Sequence, residues 1–209
     1  MDTARDLFIV GTGVFGDRPV ERGELSLALA GAELVDLLGV RAASLEGERV
    51  APGPPLSLGD RMLDQAVSAL NRTEPYETVE DWLWRRGKGL AAAYADVLDA
   101  EGRLTGGRRP WFPRRRRTAG TAGSTGTADT EARRRAADRW ESREPVLAAL
   151  AEALGIQGGG GEQADEEFLD EAVVTVLAAV GDAVTELTAV RQRREIENAA
   201  FDNIWRAPG

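Results

Sequence analysis

The sequence predicts a mainly α-helical fold: a single globular helical domain over residues 1–209 with one or two small β-hairpins. Three observations lead there. Apolar residues recur at spacings of three and four over several long segments. Short alternating segments appear only about Glu46 and Gly47. The length of 209 residues and an apolar content of 43% suffice for one sizeable core.

Thr3 is placed as the N-cap of a short helix over 4–10, with Asp6 as the third residue of an approximate capping box and Gly11 as the closing glycine. Phe8, Ile9 and Val10 leave a buried strand as the alternative. Over 24–39, Leu25, Leu29, Ala32, Leu34 and Leu38 mark a well-buried helix that Gly39 can stop. A hairpin or tight turn follows about Glu46-Gly47 and ends where Pro52, Pro54 and Pro55 forbid regular structure. Met62, Leu63, Ala66, Val67 and Leu70 share one face of a helix over 59–71. Thr78 caps a helix carrying Trp82 and Leu83. Leu90, Tyr94, Val97 and Leu98 line a longer helix from Gly89 to Ala100, ended by Gly102. Gly106-Gly107 suits the turn of a second hairpin.

Residues 118–128, TAGTAGSTGTA, contain no core-forming residue and are expected to be a flexible loop. Helices resume near Asp129 and continue to about Leu154, before a second flexible, Gly-rich loop at 157–163. The last long helix is expected from near Asp165. Leu169, Val173, Val176, Val180, Val184 and Leu187 form its stripe. Acids open it, and Arg191, Arg193 and Arg194 lie toward its other end, as the helix dipole favours.

Composition removes whole classes of chemistry. The chain has no cysteine, so disulfides, thiolate metal sites and cysteine nucleophiles are excluded. It has no histidine, so imidazole general bases and His-ligated metals go as well. The acids of DEEFLDE, residues 165–171, are read as a helix start, because carboxylate-bridged metal pairs in helical bundles normally add histidines. No metal is expected. The amino terminus lacks a basic region followed by a long apolar stretch. The longest uncharged apolar run, Ala172 to Gly181, is about half of the roughly 20 residues a span requires. The expected location is cytoplasmic or peripheral at a membrane.

Gly11, Gly13 and Gly16 spell G-x-G-x-x-G behind the apolar run Leu7 to Val10, the outline of a dinucleotide-binding turn. Such a turn needs a helix opening inside the glycine loop, its amino end facing a pyrophosphate. Here VFGDRPVERG intervenes, and the next helix starts near Glu24. The glycines are read as punctuation and no cofactor is expected; a nicotinamide or flavin enzyme is the remaining alternative.

The order of segments resembles the Golgi phosphoprotein 3 family. TARDLFIVG is similar to its first short helix, and LALAGAELVDLLGVRAASLEGERV to its small-residue core helix and hairpin. PLSLGDRMLDQAVSAL, VEDWLWRRGKGLAAAYADVLDAEGRL and REPVLAALAEALGI resemble the segments that follow. The Ala, Gly and Arg richness, which reads as GC-rich coding, suits the family's actinobacterial members. The resemblance implies a mostly helical, non-enzymatic peripheral membrane protein that binds phosphatidylinositol 4-phosphate and acts as an adapter. It further implies a headgroup pocket built from a tryptophan, an arginine and two basic residues one turn apart. Those positions fall near Glu21, on Ala30, on or near Lys88, and on Ala91. An acid at Glu21 would repel a phosphate.

Two basic stretches are candidates for binding. Net charge is −9, yet Arg103 to Arg117 holds seven arginines and no acid. Within it, Trp111 and Phe112 suit a bilayer interface or a self-association contact, and Arg114, Arg115, Arg116 and Arg117 suit anionic lipid. The alternative packs the aromatics on the domain and leaves the arginines as a solvated strand edge. Arg85, Arg86 and Lys88 of WRRGKG cluster beside Gly87 and Gly89, where they could cradle a phosphate-bearing headgroup or simply form a surface helix junction. An anionic lipid or phosphoinositide headgroup, a protein partner and a second copy are the partners considered. Nucleic acid is ranked out, since the acidic body repels a polyanion. The alternative function is a cytosolic protein–protein module that self-associates through its hairpin without lipid.

Overall fold

The computed structural model describes residues 2–12, 20–101, 125–157 and 169–206, with side chains over 125–130 and 199–206 left aside. Among the described residues there are eight helices and one two-stranded antiparallel hairpin, so the mainly α expectation holds.

The second helix, α2 (Arg22–Gly39), is the axis of the fold. Every residue from Leu25 to Leu37 is buried, which requires packing on all sides. It touches α1 (Thr3–Thr12), α3 (Arg61–Ala69), α4 (Val79–Arg86), α5 (Leu90–Ala100), α7 (Pro145–Ala153) and α8 (Glu171–Arg206). Small residues let these neighbours approach. A Cβ on Gly31 would lie 2.3 Å from Cγ2 of Val180 on α8.

Helix α1 forms, not the strand alternative, but its ends differ from expectation. Asp2 supplies the first carbonyl, to the Asp6 N–H at 2.9 Å, so Thr3 is already inside the helix. Gly11 does not stop it: the helix reaches Thr12, whose Oγ1 donates to the Phe8 carbonyl at 2.6 Å. A Cβ at Gly11 would sit 3.0 Å from Leu25 Cδ1, so this glycine serves the approach of α1 to α2. Asp6 makes no capping box; its carboxylate turns to Arg135 and Arg139.

Gly39 is also inside its helix. The stop is a left-handed Arg41, φ 57°, with Arg41 N–H bonded to the Leu38 carbonyl and Ala42 N–H to that of Leu37. That is the Schellman pattern, with an arginine where glycine is usual. Strands β1 (Ala43–Glu46) and β2 (Arg49–Pro52) pair Glu46 with Arg49, so the loop is Gly47-Glu48, with Gly47 at φ 62°.

Asp60 caps α3 by accepting from the Met62 and Leu63 N–H groups, and Thr78 caps α4 by accepting from that of Asp81. The five residues placed on one face of α3–Leu70 are all buried, as are Leu90, Tyr94, Val97 and Leu98 of α5. Helix α6 (Thr125–Glu141) starts inside the stretch read as a loop; 118–124 lies outside the described residues, as do 158–163 and Gly102. The helical run to Leu154 divides at Arg143, φ 50°, before Pro145 opens α7.

Helix α8 starts at Glu171, not near Asp165, because Asp170 caps it through the Ala172 N–H. It continues to Arg206, which puts Arg191, Arg193 and Arg194 in mid-helix and removes the dipole explanation. Val176, Val180 and Val184 enter the core; Val173 and Leu187 are half-buried against it.

Candidate functional site

The basic turn of WRRGKG joins α4 to α5, and the three cations there meet different fates. Arg85 lies over the Trp82 ring at 5.3 Å from its centroid and grips Glu77 through Nε and Nη2 at 2.9 and 2.6 Å. Hydrogen bonding to Glu77 raises its pKa. Arg86 turns inward. Its Nε and Nη2 donate to the two carboxylate oxygens of Glu33 at 2.7 and 2.9 Å, and Glu33 is fully buried. Tyr94 Oη donates to the same carboxylate at 3.0 Å. Burial pushes Glu33 above the ordinary glutamate value, opposed by Arg86 and Tyr94. Lys88 is exposed and, among the described residues, forms no ion pair.

The start of α5 offers no open anion cradle. Gly89 takes φ 72°, and the Leu90 N–H bonds to the Gly87 carbonyl at 3.1 Å. The Ala91 N–H is taken by Ser26 Oγ of α2 at 3.1 Å, and those of Ala92 and Ala93 by the Gly89 carbonyl. Each first-turn donor thus has an internal acceptor, which a phosphate would have to displace.

Of the four positions matching the family's headgroup set, Ala30 and Ala91 are core residues. The Ala30 carbonyl accepts from Trp82 Nε1 at 3.0 Å. Glu21 stands exposed at the head of α2, 3.7 Å from Arg191, which also binds Glu24 at 3.1 Å. Lys88 is the one cation of the set. The other candidates, Trp111, Phe112 and Arg114 to Arg117, lie outside the described residues.

Two further polar clusters escaped sequence reasoning. Arg5 is buried between Asp60 and Glu101, each at 2.6 Å, and so ties α1 to the head of α3 and the end of α5. Asp6, also buried, binds Arg139 at 2.7 Å and Arg135 at 3.1 Å, which fastens α6 to α1. Next to it, Asp36 of α2 reaches the head of α1 and accepts from the Ala4 N–H at 3.4 Å. Among the described residues its Oδ1 has no hydrogen-bond partner, and burial pushes its pKa up to about 6. The available signal was an acid inside an apolar run: Asp6 before LFIV, Glu33 after AGA, Asp36 between LV and LL.

No group of three or more potential metal ligands occurs among the described residues. Over Glu171–Asn198, α8 is long and apolar enough to cross a membrane by length and composition alone. The uncharged-run criterion did not detect this. Val176, Val180 and Val184 of this helix enter the core, while Val174 and Val190 are exposed.

Fold and junction together define a helical domain: a buried central helix ringed by others, one small hairpin among the described residues, and a basic turn beside its head. The chain belongs to the Golgi phosphoprotein 3 (GPP34) family, whose model matches residues 4–204. That family is associated with phosphoinositide or protein interactions in general and is not known for an enzymatic activity. Comparison with curated proteins and with solved structures gave no match.

Proposed function

We propose that this chain is a non-enzymatic adapter that works peripherally at an anionic membrane surface without the family's phosphoinositide pocket. The observation that carries the second half is the occupancy of the α4–α5 junction. Ala30 and Ala91 are buried, Ser26 caps α5, and Arg86 is committed to Glu33. Headgroup selectivity needs convergent donors, and one exposed lysine does not provide them. Membrane contact then falls to the arginine-rich segment, by charge and by Trp111 and Phe112 at the interface.

Vesicle flotation tests this with phosphatidylcholine alone, with phosphatidylserine, and with phosphatidylinositol 4-phosphate at matched charge. The expected result is equal, salt-sensitive association with both anionic mixtures, lost when Arg114 to Arg117 become alanine and little changed by Lys88→Ala. Preference for the phosphoinositide that Lys88→Ala abolishes would restore the pocket. Absence of any association would remove the membrane role and leave the protein-interaction module.

A further inference from the structure

Helix α6 is held in two different ways along its length. Its packing falls mainly on α1 and, toward its carboxyl end, on α7. At that end the grip is firm. Trp140 belongs to the main core, and Arg139 binds Glu144 at 2.8 Å, whose carboxylate in turn caps α7. The turn behind it is closed by its own backbone, with the Arg143 N–H on the Trp140 carbonyl at 3.1 Å and the Glu144 N–H on that of Arg139 at 3.0 Å.

Ahead of Trp140 the grip is of another kind. The buried apolar contact shrinks to two alanines: Ala132 and Ala136 meet Ile9 of α1 in a small cluster apart from the main core. The rest is ionic. Arg135 reaches across to α1 and binds Asp2 at 2.8 Å and Asp6 at 3.1 Å. The Arg135 side chain is 43% exposed and that of Asp2 34%, so water and salt screen this grip. Asp6 is fully buried, and a buried acid stripped of its counter-charge would oppose any parting of the helices. Here it has a second one. Arg139 binds the other carboxylate oxygen at 2.7 Å, from the firmly held end of α6. Asp6 therefore stays paired when Arg135 leaves.

We propose that the part of α6 ahead of Trp140 is an ionically latched strap, with Arg135 as the latch and Trp140 as the pivot. It leaves α1 while the body stays folded, and in leaving it opens Ile9 and the Asp2 and Asp6 carboxylates to solvent. Few buried apolar contacts and a screened polar seam are what mark a segment that opens on its own. The strap uses neither Lys88 nor Arg114 to Arg117, so it stands independently of the membrane reading. Off α1, its free part is shorter than a helix that persists alone in water, so it unwinds and its amides exchange.

Hydrogen exchange of the full chain, read at amide resolution, tests this. Amides of residues 131–137 should exchange about a hundredfold or more faster than those of α2 and α7, while α1, packed on α2, keeps slow exchange. Protection of 131–137 should fall about threefold or more between about 0.05 and 0.5 M NaCl. Arg135→Ala, which costs no helix propensity, should lower it about tenfold. The salt series uses the unaltered chain, so the result does not hang on the variant folding. Exchange of 131–137 as slow as that of α2 overturns the proposal, because α6 then opens only with the whole body. So does exchange of α1 or α7 at the rate of 131–137. Protection indifferent to salt or to Arg135→Ala removes the ionic latch, and no protection at low salt shows that nothing holds the strap; either result overturns the proposal equally.

Discussion

Gly31 and Gly181 give the sharpest test of how α2 and α8 meet. Both glycines sit inside helices, so alanine should stabilise either by about 1 kcal/mol on propensity alone. At Gly181 nothing lies within 4 Å of an added Cβ, and that gain should appear. At Gly31 the same methyl meets Val180 Cγ2 at 2.3 Å, with Leu83 and Val176 already in ordinary contact at 3.6 and 3.7 Å. Carbon atoms prefer roughly 3.5–4.0 Å. The helices must therefore part by about 1 Å, or the fully buried Val180 must leave its rotamer. Overpacking of this kind costs about 1–3 kcal/mol. Gly31→Ala should thus lie about 1–3 kcal/mol below Gly181→Ala, a gap of a few degrees in Tm for a chain of this size. Val180→Ala alone should cost about 2 kcal/mol in lost burial and cavity. Joined to Gly31→Ala it should cost clearly less than the sum, since the added methyl fills the space vacated. Urea denaturation of the four proteins measures the cycle. Equal stabilisation at both glycines, or strict additivity with Val180→Ala, would refute the close crossing.

Three other expectations follow from the polar groups and the α2 terminus. Arg86→Met strands Glu33 in the core and should cost about 3–5 kcal/mol in urea, most of it recovered when Glu33→Gln is added. Asp36 holds its proton more tightly folded than unfolded, so its contribution falls as pH rises from about 4 to about 6 and stays lost above. A shift from 3.8 to about 6 is worth about 3 kcal/mol, and Asp36→Asn should flatten that part of the stability–pH profile. Arg41→Gly relieves a left-handed arginine and should raise stability by up to about 1 kcal/mol in thermal melts; a loss would mean that the arginine side chain matters there.

The elements legible in the sequence are those whose residues alternate between core and solvent. α3 and α5 show one apolar face each, and the caps Asp60 and Thr78 are written in local chemistry. α1 was ambiguous because its large apolar residues, Leu7 to Val10, form one short unbroken run, whereas α2, buried as completely from Leu25 to Leu37, is long enough for its apolar residues to recur at helical spacing. Gly11 and Gly39 misled because glycine inside a helix looks like glycine at its end; at Gly11 the distance to Leu25 decides between them, and at Gly39 the left-handed Arg41 does. At the candidate site, residue types were legible and pairings were not. Nothing local marks Arg86 for Glu33, 53 residues away, while Arg85 next to it goes to Glu77, eight residues away.

The closed junction and the buried ion pair are best understood as one arrangement. Glu33 on the central helix demands a counter-charge, and the end of α4 provides it by drawing Arg86 inward. That inward turn takes a cation from the surface at the place where a headgroup would need one. Ala91, small enough to disappear into the core, lets the head of α5 settle on Ser26, which occupies a donor that a phosphate would otherwise use. Gly87 holds the same contact tight: a Cβ there would lie 2.6 Å from the Leu83 carbonyl oxygen and 3.2 Å from that of Ser26. Restoring arginines at positions 30 and 91 would therefore not rebuild an anion site. Each would place a charged side chain where no solvent reaches, and the helices would have to separate before any phosphate could enter. Under the function proposed above, anion recognition falls to charge outside the junction, and the densest run of positive charge in the sequence is Arg114 to Arg117.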